Sequence, residues 1–255
     1  MQRSDFEDLD KLETTHWWFK GMRAISSVIL SYVEIPGNAQ ERKALDAGCG
    51  VGGNLRWLES YVPREQIYGI DIDSDACSFV PQPYHSRVTQ SSVTSLPFED
   101  NSFDFVTSFD VLVQVPGAEG EKQAVQEMLR VLKPEGVLFI RCAAYSWLFS
   151  DHDRSLHTQR RYSLTELVTL LTDSGFAIRY STYANFFLLP VAIFSRLILK
   201  PLGAVRSGSD VRDPGRVLNF LFGIPLGLEA WILRLGLRFP AGLSAIVVAT
   251  KSRKS

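Results

Sequence analysis

The chain is poor in the features that mark several functional classes. Three cysteines, Cys49, Cys77 and Cys142, are spread over 255 residues. They are odd in number and lack C-x-x-C spacing, which argues against a disulfide framework or a cysteine zinc site and predicts a reducing, cytoplasmic setting. Excess positive charge is also missing, because 27 Lys and Arg face 28 Asp and Glu for a formal net charge of −1. Nothing global therefore attracts a polyanion, and DNA or tRNA is disfavoured as a substrate. The charged start Met1-Gln-Arg-Ser-Asp-Phe-Glu-Asp8 lacks the apolar core of a secretory signal, which predicts no export. There is no internal repeat or low-complexity segment, no metal site is predicted, and the length suits one α/β domain with a large core.

What is present begins with Ala44-Leu-Asp-Ala-Gly-Cys-Gly-Val-Gly-Gly53. An apolar strand empties into a glycine-rich turn, and a helix starts at Asn54. Glycines allow the sharp reversal and let a ligand approach the backbone closely. The spacing Gly48, Gly50, Gly53 also satisfies the dinucleotide fingerprint, so the turn alone leaves NAD and other adenosine-bearing cofactors open. Asp46 favours a cationic ligand, since a pyrophosphate-binding turn has no need of that carboxylate. Ile67-Tyr-Gly-Ile-Asp71 reads as a second buried strand ending in an acid placed to hydrogen-bond a ribose diol. Ile72 is then placed to cover one face of adenine.

With these residues the chain resembles the class I S-adenosylmethionine-dependent methyltransferases, in wording closest to the small-molecule branch of ubiquinone and menaquinone methyltransferases. Three further segments carry the resemblance in the expected order: Leu96-Pro-Phe-Glu-Asp-Asn-Ser-Phe-Asp104, Ser108-Phe-Asp-Val-Leu112 and Leu129-Arg-Val-Leu-Lys-Pro-Glu-Gly-Val-Leu138. The resemblance implies S-adenosyl-L-methionine as cofactor and S-adenosyl-L-homocysteine as product. It implies cofactor contacts at Asp46, Gly48, Cys49, Gly50, Asn54, Asp71, Ile72, Ser92, Val93 and Phe109. Two departures stand out. Ser91-Ser-Val93 replaces the acid that many relatives place at the adenine amino group, leaving Ser92 as a weaker acceptor. Val113 and Gln114 stand where many relatives read Glu-His, so any base comes from elsewhere.

The alternation of elements predicts a doubly wound parallel sheet. Strands are expected near 43–48, 67–72, 87–91, 103–109 and 136–142, with helices near 53–60, 74–80 and 119–132. A helix from Ser163 stops at Ser174-Gly175, a strand runs Phe176–Tyr183, and a final strand runs Leu243–Thr250. The resemblance places that last strand antiparallel, giving seven strands in the order 3-2-1-4-5-7-6, a reversal that an NAD-type sheet would lack. Residues 1–40 read as an N-terminal helical cap, with two helices between about 5 and 34. Residues 41–184 and 241–251 read as the cofactor-binding core of a single domain.

Residues 185–240 form an insertion far longer than the usual connection there. Its apolar helices, 185–199 and 217–237, are broken by Pro or Gly or flanked by Arg, and neither is a convincing span. Packing on the domain, a homodimer interface, a lid over the site and a peripheral membrane contact all remain open, the last two suiting a large apolar acceptor. In His16-Trp-Trp-Phe-Lys-Gly-Met-Arg23, Phe19 and Arg23 are candidate cover and methionyl-carboxylate contacts, while Trp18 reads as packing. The polar segment 150–162 supplies His152 and His157 as candidate general bases, and Gln114, Tyr145, Arg161 and Tyr162 as candidate acceptor contacts. The expected reaction is methyl transfer to the O, N or C atom of a small apolar, lipid-like or natural-product acceptor. The alternative is a non-methylating reaction such as cyclisation on the same fold.

Overall fold

The computed structural model describes residues 12–195 and 215–252. Its strands are β1 Ala44–Ala47, β2 Ile67–Asp71, β3 Val88–Gln90, β4 Phe103–Phe109, β5 Leu132–Ala143, β6 Phe176–Ala184 and β7 Ser244–Lys251. They form one sheet in the order 3-2-1-4-5-7-6, and β7 runs antiparallel to both β5 and β6. β1 is buried along its whole length, β4 from Phe103 to Ser108, and β7 from Ser244 to Thr250. These strands are buried at successive residues rather than at alternate ones, as in a sheet covered on both faces.

The helices are α1 Trp17–Leu30, α2 Leu55–Leu58, α3 Ser74–Phe79, α4 Gln82–His85, α5 Gly117–Val131, α6 Asp151–Ser155, α7 Leu164–Asp173, α8 Leu189–Phe194 and α9 Arg216–Arg234. The first of the two expected N-terminal helices lies mostly outside the described residues. α7 opens with a capping box: Ser163 Oγ accepts from the Glu166 N–H, and Glu166 reaches back to the Ser163 N–H at 2.7 Å. Each bond satisfies a donor that the first turn would leave orphaned. Ser163→Ala is expected to cost about 1 kcal/mol in chemical denaturation. Gly175, at φ 101°, then ends the helix in a conformation that side chains resist.

Two elements differ from expectation. β5 begins at Leu132, because Leu132 pairs with Phe103 before a register shift carries the strands past Lys133-Pro-Glu-Gly136. Lys133 Nζ and the Lys43 N–H both donate to Asp104 Oδ2, at 2.8 Å each, and fasten this irregular entry. The polar segment after β5, expected to supply site residues, contains α6 and a buried ion pair.

The described part of the insertion is anchored. One stripe of α9, Leu226, Ala230 and Leu233, is buried. Leu226 packs so closely on α1 that a Cβ at Gly21 would lie 2.3 Å from its Cδ1. Asn219 Oδ1 accepts from the Trp17 N–H at 2.9 Å, and Tyr32 Oη donates to the Leu233 carbonyl at 2.6 Å. Glu229, fully buried, accepts from the N–H groups of Asn185 and Phe187 just beyond β6. The cap helix α1 and the insertion helix α9 thus form one packed pair.

Candidate functional site

Open parallel sheets place ligands at the carboxyl ends of their strands, where the strand order reverses. Here that point lies between β1 and β4, and β1 ends in Asp46-Ala47 before the turn Gly48–Gly53. The N–H groups of Gly48 and Cys49 both donate to the Ile70 carbonyl at 2.8 Å, tying the turn to β2. The next N–H, at Gly50, donates to Asp71 Oδ2 at 2.8 Å, while Asp71 Oδ1 accepts from the Asp73 N–H at 3.0 Å. Asp71 therefore holds the turn as well as facing any ligand it accepts. Gly48 has φ 93°, and a Cβ there would lie 2.2 Å from Val111 Cγ2; Gly50 has φ 54° and open space where a Cβ would stand. The first glycine is demanded by its positive φ and by close packing against Val111, just beyond β4, and the second leaves room for a ligand against the backbone.

Asp46 is completely buried. Its Oδ1 accepts from Thr107 Oγ1 at 2.8 Å, whereas Oδ2 has no partner among the described residues. An orphaned buried carboxylate oxygen is costly unless a ligand completes it. Burial, opposed by the Thr107 bond, pushes the Asp46 carboxyl up to about 7. Between about pH 4 and pH 7 the folded chain then keeps a proton that the unfolded chain has lost, so stability falls as pH rises through that window. Asp46→Asn removes this dependence. The stability of the natural chain relative to Asp46→Asn is expected to decline from about pH 4 to about pH 7 in denaturant titrations. A cation bound at Oδ2 reverses the trend by favouring the charged carboxylate, so affinity for a cationic ligand should rise over the same interval.

A second cluster at the strand ends joins the expected Phe109 to Arg141, which was not among the expected site residues. Arg141, on β5 and 7% exposed, donates from Nε to Asp110 Oδ2 at 2.9 Å. Its guanidinium carbon lies 5.0 Å from the ring centroids of both Trp18 and Phe109. Asp110, just after β4, holds a left-handed backbone at φ 58°. α1 thereby reaches the strand ends through Trp18. Arg23 Nη2 donates to the Glu13 carbonyl at 2.6 Å, and the Glu13 carboxylate lies directly over Gly53. The N-terminal segment closes on the glycine turn itself.

The residues expected from sequence fall into three groups. Asp46, Gly48, Gly50 and Asp71 form the cradle, with Asn54 leading into α2 and Ile72 beside Asp71, 71% exposed and open to a flat apolar partner. Ser92 Oγ contacts Thr94 Oγ1 at 2.8 Å and accepts from the Thr94 N–H at 3.2 Å, in a turn that includes the buried Val93. Phe19 lies on α1 with its ring edge-on to Trp18, and Gln114 Nε2 reaches the Asp110 carbonyl at 3.5 Å. Tyr145, at φ 63°, stacks between Trp147 and Tyr183.

Three expected contacts are corrected. The Cys49 N–H is spent on Ile70; the residue is 5% exposed, and its thiol, pushed far up by burial, is packed against Gly69 and turned to the Gly50 carbonyl at 3.7 Å. Arg161 is buried in a two-bond ion pair with Asp153 at 2.7 and 3.0 Å and also donates to the Ala144 carbonyl. Tyr162 is 1% exposed, with Oη against the Leu112 carbonyl at 3.5 Å. Neither is available to an acceptor. His157 is exposed on a left-handed turn at φ 56°, and the His152 side chain lies outside the described residues. Arg141 was the missed residue with a signal: a cation inside the apolar run Val137-Leu-Phe-Ile-Arg-Cys142 needs a partner.

Residues 45–140 match a family model described as a methyltransferase domain. A sterol 24-C-methyltransferase of Gibberella zeae is 32% identical over 139 residues, covering 48% of this chain and 32% of that protein. Phosphoethanolamine N-methyltransferase 2 of Caenorhabditis elegans is 30% identical over 142 residues, covering 52% of this chain and 32% of that protein. The chain spans about a third of the length of both. Among solved structures, the [4+2]-cyclase SpnF superposes with TM-score 0.57 at 20% identity, covering 92% of this chain and 82% of the other. Haemonchus contortus phosphoethanolamine N-methyltransferase 2, in complex with S-adenosyl-L-methionine, gives TM-score 0.56 at 18% identity, covering 89% and 52%.

Proposed function

We propose that this chain, whose residues 45–140 match a methyltransferase-domain family model, is a class I S-adenosylmethionine-dependent methyltransferase that transfers the cofactor's methyl group to a small apolar or lipid-like acceptor. The observation that carries the reading is the Asp46 carboxylate, buried with Oδ2 unsatisfied among the described residues, at the end of the strand that feeds the glycine turn with its open Gly50. That arrangement suits the amino group of a cationic cofactor. Asp71 would accept the ribose hydroxyls while its bond to Gly50 keeps the turn in register. Ile72 offers an apolar shelf, and Ser92 and Val93 border it.

The cofactor supplies an activated methyl group, so the protein's work is alignment and exclusion of water. Trp18 and Arg141 wall the strand ends, and α1 closes the approach. An acceptor that is already nucleophilic needs no protein base, and an oxygen acceptor of high pKa would draw on His152 or His157. An apolar acceptor is supported by the name of the sterol methyltransferase relative.

The similarity to a structure named as a cyclase favours one second reading, in which the cofactor is retained and no methyl group moves. The two are separated by incubating the protein with methyl-labelled cofactor and an apolar metabolite extract, then following label by mass spectrometry. Label in an extractable product, lost with Asp46→Ala, supports transfer. Consumption of an acceptor with no label in any product supports the second reading.

A further inference from the structure

We propose that the outer face of α9 docks this protein onto an anionic lipid bilayer. Val217, Leu221, Ile224, Leu228, Trp231 and Leu235 recur at intervals of three and four and so fall on one side of the helix. All six are exposed, Val217 at 73% and Trp231 at 57%. The opposite side carries the buried Leu226, Ala230 and Leu233 that pack on the domain. α9 is thus apolar on both faces, and one face has no cover among the described residues. Exposed apolar surface of this extent marks an interaction site rather than an ordinary surface.

Charge selects the occupant. Between residues 215 and 243 the only acid is Glu229, which is buried and bonded to Asn185 and Phe187. The exposed charges of that segment are Arg216, Arg234 and Arg238, at or just beyond the two ends of the stripe. An apolar strip rimmed by cations fits acyl chains beneath anionic headgroups, with Trp231 suited to the boundary. A second copy of this chain would bring three more arginines to the same rim.

α9 does not cross the bilayer, although its 19 residues and mean hydropathy of 1.4 would permit it. Glu229 and the Gly21–Leu226 contact fix its inner face to the domain, so the helix lies in the plane of the interface. Because α9 also holds α1, and α1 carries Trp18 to the strand ends, docking would set the catalytic mouth beside the lipid phase. The docking itself stands independently of methyl transfer.

The test is sedimentation of the full chain with phosphatidylcholine vesicles, with and without phosphatidylglycerol. It is compared with the variant Leu221→Gln/Leu228→Gln/Trp231→Gln. These side chains are exposed, so the variant should fold; an unchanged calorimetric titration with S-adenosyl-L-methionine, or an unchanged melting temperature if that ligand fails to bind, verifies it. We expect binding to the anionic vesicles that raised salt weakens and that the variant loses by more than about tenfold. Equal binding of chain and variant, or no vesicle binding at all, would overturn the proposal. So would a dimer, seen by light scattering, that the same three substitutions dissolve, since the occupant would then be a second copy.

Discussion

Asp71→Ala is expected to weaken binding of S-adenosyl-L-methionine by about a hundredfold or more, the largest loss from a single side chain in the cradle. A hydrogen bond to a charged group contributes about 1.5–3 kcal/mol, and the carboxylate would give two to a ribose diol. The same substitution strips the Gly50 and Asp73 N–H groups of their acceptor, so the turn loosens as well. Asp71→Asn separates the two contributions, since it keeps one carbonyl acceptor of the same shape. It should retain the fold and part of the affinity. Isothermal titration of both variants measures the difference, and a loss of less than threefold in Asp71→Ala would remove Asp71 from the ligand contacts.

The largest effect on stability should come from Asp153→Ala. The Asp153–Arg161 pair is buried on both sides, with side chains 4% and 5% exposed. Burial pushes the Asp153 carboxyl up, but Arg161 and Ser150 more than offset this and hold it below the usual carboxylate range. Removing the acid leaves a buried guanidinium charge without its counter-charge, with only the Ala144 carbonyl bond retained, at a cost of about 3–5 kcal/mol. Asp153→Ala/Arg161→Met, which removes both charges, should recover most of that loss in denaturant titrations. The comparison also tests the correction made for Arg161. If Arg161 were an acceptor contact, replacing it in the double variant would abolish turnover while leaving stability near that of the natural chain.

Much of the fold was legible because its signals are local. The apolar strands, the glycine turn and the Ser163 cap each declare themselves within ten residues, and the reversed β7 followed from the family resemblance. Asp46 and Asp71 were legible for the same reason, since each ends a strand beside the turn. What was hidden depends on distance along the chain. Gly21 meets Leu226 only after the sheet is assembled, so nothing near either residue shows that cap and insertion form a pair. Arg161 and Tyr162 looked available because they sit in a polar segment; the partner that buries Arg161, Asp153, lies on a helix the polar composition concealed. Arg141 went unremarked inside β5, although a cation in a buried strand requires the partner that Asp110 provides.

The most direct measurement is calorimetric titration of the purified chain with S-adenosyl-L-methionine, S-adenosyl-L-homocysteine and NAD. A cradle built on Asp46, Gly50 and Asp71 predicts saturable binding of both sulfur ligands, none of NAD, and loss of both affinities in Asp71→Ala. Binding of NAD alone, or of none of the three, would contradict the account at its centre.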